Sequence, residues 1–258
     1  MSNIHPTALV DPSAELASDV CVGPYSVIGP DVVIGAGSQI GPHVVLQGPT
    51  RMGRDNQVFQ FASIGAVPQD KKFSGERTFL EIGDRNVFRE CVTVNRGTAT
   101  GASVTRIGSD NLFMANAHVA HDCIIGSHCV FANCATLAGH VEVDDHVILG
   151  GYAGVHQFCK IGAHAFLANN AAATRDVPPY VMAAGAPAEP KGVNSEGLKR
   201  RGFSAEQIAN IKAAYKTLYR SGLKLAEATV ELERRAAEQP EVALLVAFLP
   251  RVTRSLIR

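Results

Sequence analysis

The sequence predicts a β-solenoid of six-residue units that ends in a small helical segment. Three observations carry this expectation. An apolar residue recurs every six positions through most of the chain. Glycine often follows it. Beyond a proline-rich stop at Asp176-Val177-Pro178-Pro179-Tyr180 the spacing changes to that of amphipathic helices.

The repeat comes first, because a fixed period decides architecture before local propensity does. Apolar residues stand at Ile4, Val10, Leu16, Val22, Ile28, Ile34, Ile40, Leu46, Met52, Val58 and Ile64, six apart without a slip. The spacing resumes at Ile82, Phe88 and Val94. It shifts by one residue and then runs Ile107, Phe113, Val119, Ile125, Phe131, Leu137, Val143, Leu149, Val155, Ile161 and Leu167. A period of six fits neither a 3.6-residue helix nor an alternating strand. It fits a short strand, a turn and a repeat, in which each unit buries its apolar side only against stacked neighbours. Gly23, Gly29, Gly35, Gly41, Gly53, Gly83, Gly108, Gly126, Gly150 and Gly162 follow the apolar residue. They are expected to serve corners where the backbone takes positive φ. Small or β-branched residues four places on, such as Ser26, Val44, Ala117 and Ala153, should point inward.

Two excursions break the repeat, one around Pro68 to Arg77 and one around Asn95 to Gly101. Loops on a regular scaffold are where function concentrates. After the repeat, Ser204 with Gln207 reads as a capping box. Ile208, Ile211, Tyr215, Leu218 and Tyr219 follow at helical spacing, and Gly222 suits a C-cap. A charged helix from about Lys224 to Glu238 and an apolar one after Pro240 complete the expectation. The domains are therefore 1–190, a solenoid with two excursion loops, and 191–258, a helical end.

Composition removes several function classes. Lys plus Arg and Asp plus Glu are both 24 in 258 residues, so overall charge gives no reason to expect nucleic acid. No apolar run approaches the length of a transmembrane segment. The opening Met1-Ser2-Asn3-Ile4-His5-Pro6 has no basic, apolar export pattern. The six cysteines form no Cys-x-x-Cys pair, and Cys123, Cys129 and Cys159 share one repeat position. They read as small apolar packing residues, free thiols in a reducing, cytoplasmic compartment.

The pattern is similar to that of the hexapeptide-repeat transferases, and the resemblance implies a left-handed parallel β-helix with three hexapeptides in an 18-residue coil. Physics alone would favour right-handed crossovers. Residues 18 apart then lie one above another, about 4.8 Å apart. His121 lies beneath Gly139 and Gly139 beneath Gln157, while Asp122 lies beneath His140. With His118 and His156 they form a polar cluster on one wall. An imidazole is the usual general base, and a carboxylate beside it can set its tautomer. A glycine one coil above lets a substrate carbonyl approach a backbone N–H. The rival reading is zinc, with His118, His140 and His156 as ligands and an open fourth position. It corresponds to a carbonic anhydrase-like hydratase. A non-catalytic sugar-nucleotide-binding scaffold is the other alternative.

Specific runs narrow the choice. Asn116-Ala117-His118-Val119-Ala120-His121-Asp122-Cys123, Leu137-Ala138-Gly139-His140, Val155-His156-Gln157-Phe158, Gln69-Asp70 with Lys72, and Gly197-Leu198-Lys199-Arg200-Arg201-Gly202-Phe203 resemble the acyl-carrier-protein–UDP-N-acetylglucosamine O-acyltransferases, which open lipid A synthesis. The similarity spans essentially the whole chain. It implies that His121 is the base, Asp122 its support and Gly139 N–H the oxyanion donor. Gln69, Asp70, Lys72, His118, His140 and Gln157 would hold substrate, and His156 would support the site. Asn194, Glu196 and Arg200 would bind the nucleotide end of UDP-N-acetylglucosamine. Lys199, Arg200 and Arg201 would also suit an acidic acyl carrier protein loaded with a 3-hydroxyacyl chain; alone, that run reads as a solvated helix start. Asn169 falls where the family sets acyl length. The resemblance further implies a homotrimer with sites between subunits, and neither metal nor cofactor. Asn95, Pro187 and Arg77 depart from the family's usual residues.

Overall fold

The computed structural model describes residues 3–258; Met1 and Ser2, counted with the solenoid above, lie outside the described residues. Short strands, mostly of two residues, stack into three sheets of eleven, nine and eight strands that form the faces of a prism, parallel throughout but for the last strand of the first. The chain visits the faces in fixed order. Cys21–Val22 lies on the first, Val27–Ile28 on the second and Val32–Ile34 on the third. Eighteen-residue registry is direct: His118 pairs with Thr136 and Thr136 with Gly154. Across the excursions the step lengthens, from Ser63 to Thr93 and from Thr93 to His118. Both loops leave the corner between the second and third faces.

The repeat phase picks out the core. Ile28, Leu46, Leu137 and Leu167 are at most 1% exposed, and Ser26, Ala117 and Ala153 are fully buried beside them. Phe88, Phe113 and Phe131 stack inside at centroid separations of 4.9 and 4.7 Å. Cys123, Cys129 and Cys159 are buried free thiols. Burial pushes the first two up to about 12 and the third to about 11.

The expectation for the corner glycines is overturned. Positive φ falls two residues after them, on non-glycine residues such as Tyr25 (58°), Asp31 (57°), His43 (55°) and Asp110 (61°). The glycines serve close stacking instead. A β-carbon at Gly35 would lie 2.6 Å from the backbone of Gly53, and one at Gly23 would lie 2.8 Å from that of Gly41. The residue between glycine and the left-handed position turns its amide away from the ladder. Pro24, Pro30 and Pro42 occupy that slot, where a missing N–H costs nothing.

The repeat also runs past the prolines. Val181–Ala184 adds a parallel strand on Phe166–Leu167, then pairs antiparallel with Glu189–Val193. Four helices follow: α1 (Ser195–Arg200), α2 (Ala205–Arg220), α3 (Leu225–Ala236) and α4 (Ala243–Phe248). Ser204 and Gln207 make the reciprocal capping box before α2. Gly222 sits beyond its C-cap at φ 77°. The helices bury Leu198, Ile211, Leu232 and Phe248 against Tyr180 in a second core. No helix among the described residues is long and apolar enough to cross a membrane.

Candidate active site

The corner between the second and third faces gathers the polar cluster. Asp122 takes the left-handed corner position, at φ 59°. His121 Nδ1 and Asp122 Oδ2 are 2.9 Å apart. The carboxylate is almost fully buried, so it needs donors. Thr98 on the second excursion supplies them: its N–H lies 3.1 and 3.0 Å from the two oxygens and its hydroxyl 2.6 Å from Oδ2. With Asp122 acting as acceptor throughout, His121 Nδ1 is the donor of that pair and Nε2 is left as a basic nitrogen. The tautomer is thus inferred from partners.

Gly139 sits one coil above, as the 18-residue arithmetic expects. A β-carbon there would fall 2.6 Å from His121 Cε1 and 2.7 Å from Nε2. At this corner the amides of His121, Gly139 and Gln157 have no acceptor among the described residues. At the corner joining the third and first faces, equivalent amides are capped from the coil above: Arg54 by Asp84, Ser109 by Ser127, Ser127 by Asp145. An open donor row beside a base is what an acyl-transfer transition state requires.

His140 meets His121 edge-on at 5.1 Å and stacks on Phe158 at 4.5 Å. Its Nε2 is 3.9 Å from Asp122 Oδ2, beyond a hydrogen bond. Burial lowers the pKa of His140, while Asp122 and, further out, Asp70 act the other way. His118 lies on the strand before the corner with Nδ1 2.7 Å from Thr93 Oγ1. Burial, then His121, lowers its pKa. His156 is exposed, with Nδ1 3.2 Å from the Gln157 carbonyl and 3.4 Å from Arg254. A cleft of about 610 Å³ opens beside Asp122, His140 and Phe158, with Lys160 and Arg254 at its walls. A larger hollow of about 720 Å³ lies around Gln39 and Gln57, away from the His121–Asp122 pair.

Other expected residues lie elsewhere. Gln69 and Lys72 are exposed on the first excursion, where Asp70 Oδ1 accepts from Lys72 N–H at 3.0 Å. Asn194, Glu196, Arg200 and Arg201 are at the corner between the third and first faces. Asn194 caps α1 and donates to the His164 carbonyl at 3.0 Å. Arg201 turns inward, 2.7 Å from the His146 carbonyl. Glu196 pairs with Lys199 at 2.7 Å, and Arg200 is exposed. Asn169 is on the remaining corner, where Oδ1 accepts from Gly151 N–H at 3.0 Å.

The zinc triad considered above is not assembled. The one His/Cys/Asp/Glu group among the described residues with all ligand atoms within 4.8 Å of one another is His121, Asp122 and His140. Sequence reasoning missed Thr98 and Thr105, whose hydroxyl accepts from Asp122 N–H at 2.8 Å. The only signal for Thr98 was its place in an excursion. Of the departures, Asn95 donates to the Val67 carbonyl at 3.0 Å and Arg77 pairs with Asp31 at 2.8 Å.

Comparison with known proteins bears on the whole chain. Residues 176–257 match the family described as Udp N-acetylglucosamine O-acyltransferase, Domain 2. Residues 13–48 and 105–139 match Bacterial transferase hexapeptide (six repeats). The acyl-[acyl-carrier-protein]–UDP-N-acetylglucosamine O-acyltransferase of Janthinobacterium sp. (strain Marseille) is 60% identical over 243 residues, 94% of this chain and 93% of the relative. That of Thiobacillus denitrificans is 57% identical over the full length of both. Among solved structures, LpxA from Acinetobacter baumannii superposes with a TM-score of 0.96 at 47% identity, covering all of both chains. The coils are left-handed, as in these structural neighbours.

Proposed function

The chain belongs to the UDP-N-acetylglucosamine O-acyltransferase family, and on that premise we propose that it transfers a 3-hydroxyacyl chain from acyl carrier protein to the glucosamine 3-hydroxyl of UDP-N-acetylglucosamine, the first step of lipid A biosynthesis. His121 Nε2 takes the hydroxyl proton as the oxygen attacks the thioester carbonyl. Asp122 supports the imidazolium that forms. Gly139 N–H donates to the oxyanion. Collapse of the tetrahedral intermediate breaks the C–S bond, and the imidazolium returns the proton to the leaving thiolate. The carrier thiol and the 3-O-acyl sugar nucleotide leave.

One observation carries this reading: an oriented His–Asp pair whose ring touches a glycine with an uncommitted N–H. Gln69, Asp70, Lys72, His118, His140 and Gln157 hold the substrates, and His156 supports the site. Asn194, Glu196 and Arg200 bind the nucleotide end, with Lys199 and Arg201 part of the same basic segment.

The protein acts as a homotrimer in the cytoplasm. His121 and Arg200 occupy different corners of one chain, so a substrate that meets both is held between subunits, and three-fold closure is an ordinary way to achieve that. The test is mass spectrometry of the product from mixed hydroxyacyl carrier-protein donors, run with and without EDTA. Transfer to the sugar that persists in EDTA supports the reading. Transfer abolished by EDTA and restored by zinc defeats it.

A further inference from the structure

We propose that Thr98 is a positioning residue of the transfer reaction, its hydroxyl holding Asp122 in the one orientation that leaves His121 Nε2 free as base. The inference rests on the acyl-transfer reading above. Thr98 is 3% exposed on the second excursion, a loop that leaves the solenoid at Asn95 and returns at Val104. Its backbone and side chain do separate work. The Thr98 carbonyl accepts from Gly101 N–H and Ser103 N–H, both at 3.1 Å, and so makes the turn of the loop. The side chain is not needed for that turn. Its Oγ1 lies 2.6 Å from Asp122 Oδ2, the same oxygen that pairs with His121 Nδ1. Thr100 Oγ1, 3.1 Å away, can donate to Thr98 Oγ1 and so commits the Thr98 proton to the carboxylate.

The loop also fits tightly over the pair. A β-carbon on Gly101 would come within 2.5 Å of Asp122 Oδ1 and 2.7 Å of His140 Cε1. Asp122 without the Thr98 hydroxyl keeps the Thr98 N–H, so it stays partnered. What it loses is the donor that sets the charge and direction of Oδ2. An oxygen relieved of one donor attracts the imidazolium proton more strongly. Protonation of His121 is then favoured, and the acidic limb of the kcat/KM profile moves to higher pH.

The experiment compares Thr98→Val, Thr98→Ser and His121→Ala in the full-length enzyme, with turnover referred to sites counted by UDP-N-acetylglucosamine binding. Thr98→Val is expected to lose about tenfold in kcat. Its KM for the sugar nucleotide should stay within about twofold, and its acidic limb should move up by about half a pH unit. Thr98→Ser should restore both. Thr98→Val at wild-type kcat with an unmoved limb overturns the proposal. So does Thr98→Ser impaired as much as Thr98→Val. If Thr98→Val does not fold, Thr98→Ala carries the same test without added bulk. His121→Ala separates the two readings: if it retains activity, the base assignment fails; if it is inactive while Thr98→Val is normal, only the role of Thr98 fails.

Discussion

The imidazole of His121 occupies the space that a side chain at Gly139 would take, with all three of its Cε1, Nε2 and Nδ1 atoms within 3.1 Å of the missing β-carbon. The glycine therefore does two things. It leaves its amide open to an incoming oxyanion, and it gives the base its seat. Gly139→Ala is expected to displace the ring and lower kcat by about 10²–10³-fold, the range for losing an oxyanion donor or misplacing a catalytic group. Steady-state kinetics with a circular dichroism check on folding measures it. Turnover within threefold of wild type would show that the ring has another place to sit.

His121→Ala should cost about 10²–10⁴-fold in turnover, the usual worth of a general base. The side chain is on a corner and outside the core, so thermal unfolding and UDP-N-acetylglucosamine binding should change little. Wild-type turnover in this variant would remove His121 from the mechanism.

Sites shared between subunits have a clear signature. Arg200→Ala and His121→Ala should each inactivate on their own, and subunits mixed after dissociation should recover part of the wild-type rate. Lys72→Ala mixed with His121→Ala tests the first excursion in the same way. Full activity in a species that sediments as a monomer contradicts the arrangement.

Asn169 is a test of chain length. Its amide caps the Gly151 N–H on the corner at the far edge of the second face from His121. Asn169→Gly should shift donor preference toward longer hydroxyacyl chains, because an acyl terminus pressed on an amide strands a hydrogen-bonding group at a cost of about 1–3 kcal/mol. Stability should fall by about 1 kcal/mol as the cap is lost. A lower melting temperature with an identical donor profile would leave Asn169 as a corner cap only.

Stability should depend on pH through His164, which stands in a column with His128, His146 and Tyr180 stacked at 4.8, 4.7 and 5.5 Å. Burial first, then the charges of His146 and Arg201, press His164 down to about 4 from 6.5. The native state thus holds it neutral where the unfolded chain takes up a proton. Its contribution is fully present above about pH 6.5 and is lost as pH falls toward 4, on the order of 3 kcal/mol in all. His164→Phe keeps the stack and removes the titration, so denaturant midpoints measured from pH 7 to 4 should decline less steeply than in wild type. Parallel declines would assign the effect to other groups.

The inward residues were legible in the sequence because a six-residue period repeats the same environment coil after coil; Leu137 and Val155 could be placed without coordinates. The stacking of His121 under Gly139 followed from the same count. The corner glycines were misread because composition does not tell a demand on φ from a demand on space, and here the left-handed turns fall on Tyr25, Asp122 and His140. Thr98 was invisible for a different reason. It reaches Asp122 from 24 residues earlier through a loop that belongs to no repeat. Arg201 shows the third limit: a basic run looks uniform in sequence, yet Lys199 and Arg200 face solvent while Arg201 turns to the His146 carbonyl.

The corner amides have a consequence for how such a protein can change. His121, Gly139 and Gln157 form a file of identical donors, each about 4.8 Å from the next along the axis. The backbone on which the oxyanion would rest at Gly139 is reproduced one step up and one step down. Moving the reaction centre along the prism therefore calls for no refolding of the coils, although the Thr98 loop has to move with it. It calls for a His–Asp pair on one rung and a residue without a β-carbon on the rung above. A scaffold of this kind can be retuned by transposition, as a melody is shifted by key, and the length of groove on either side of the base changes with every rung.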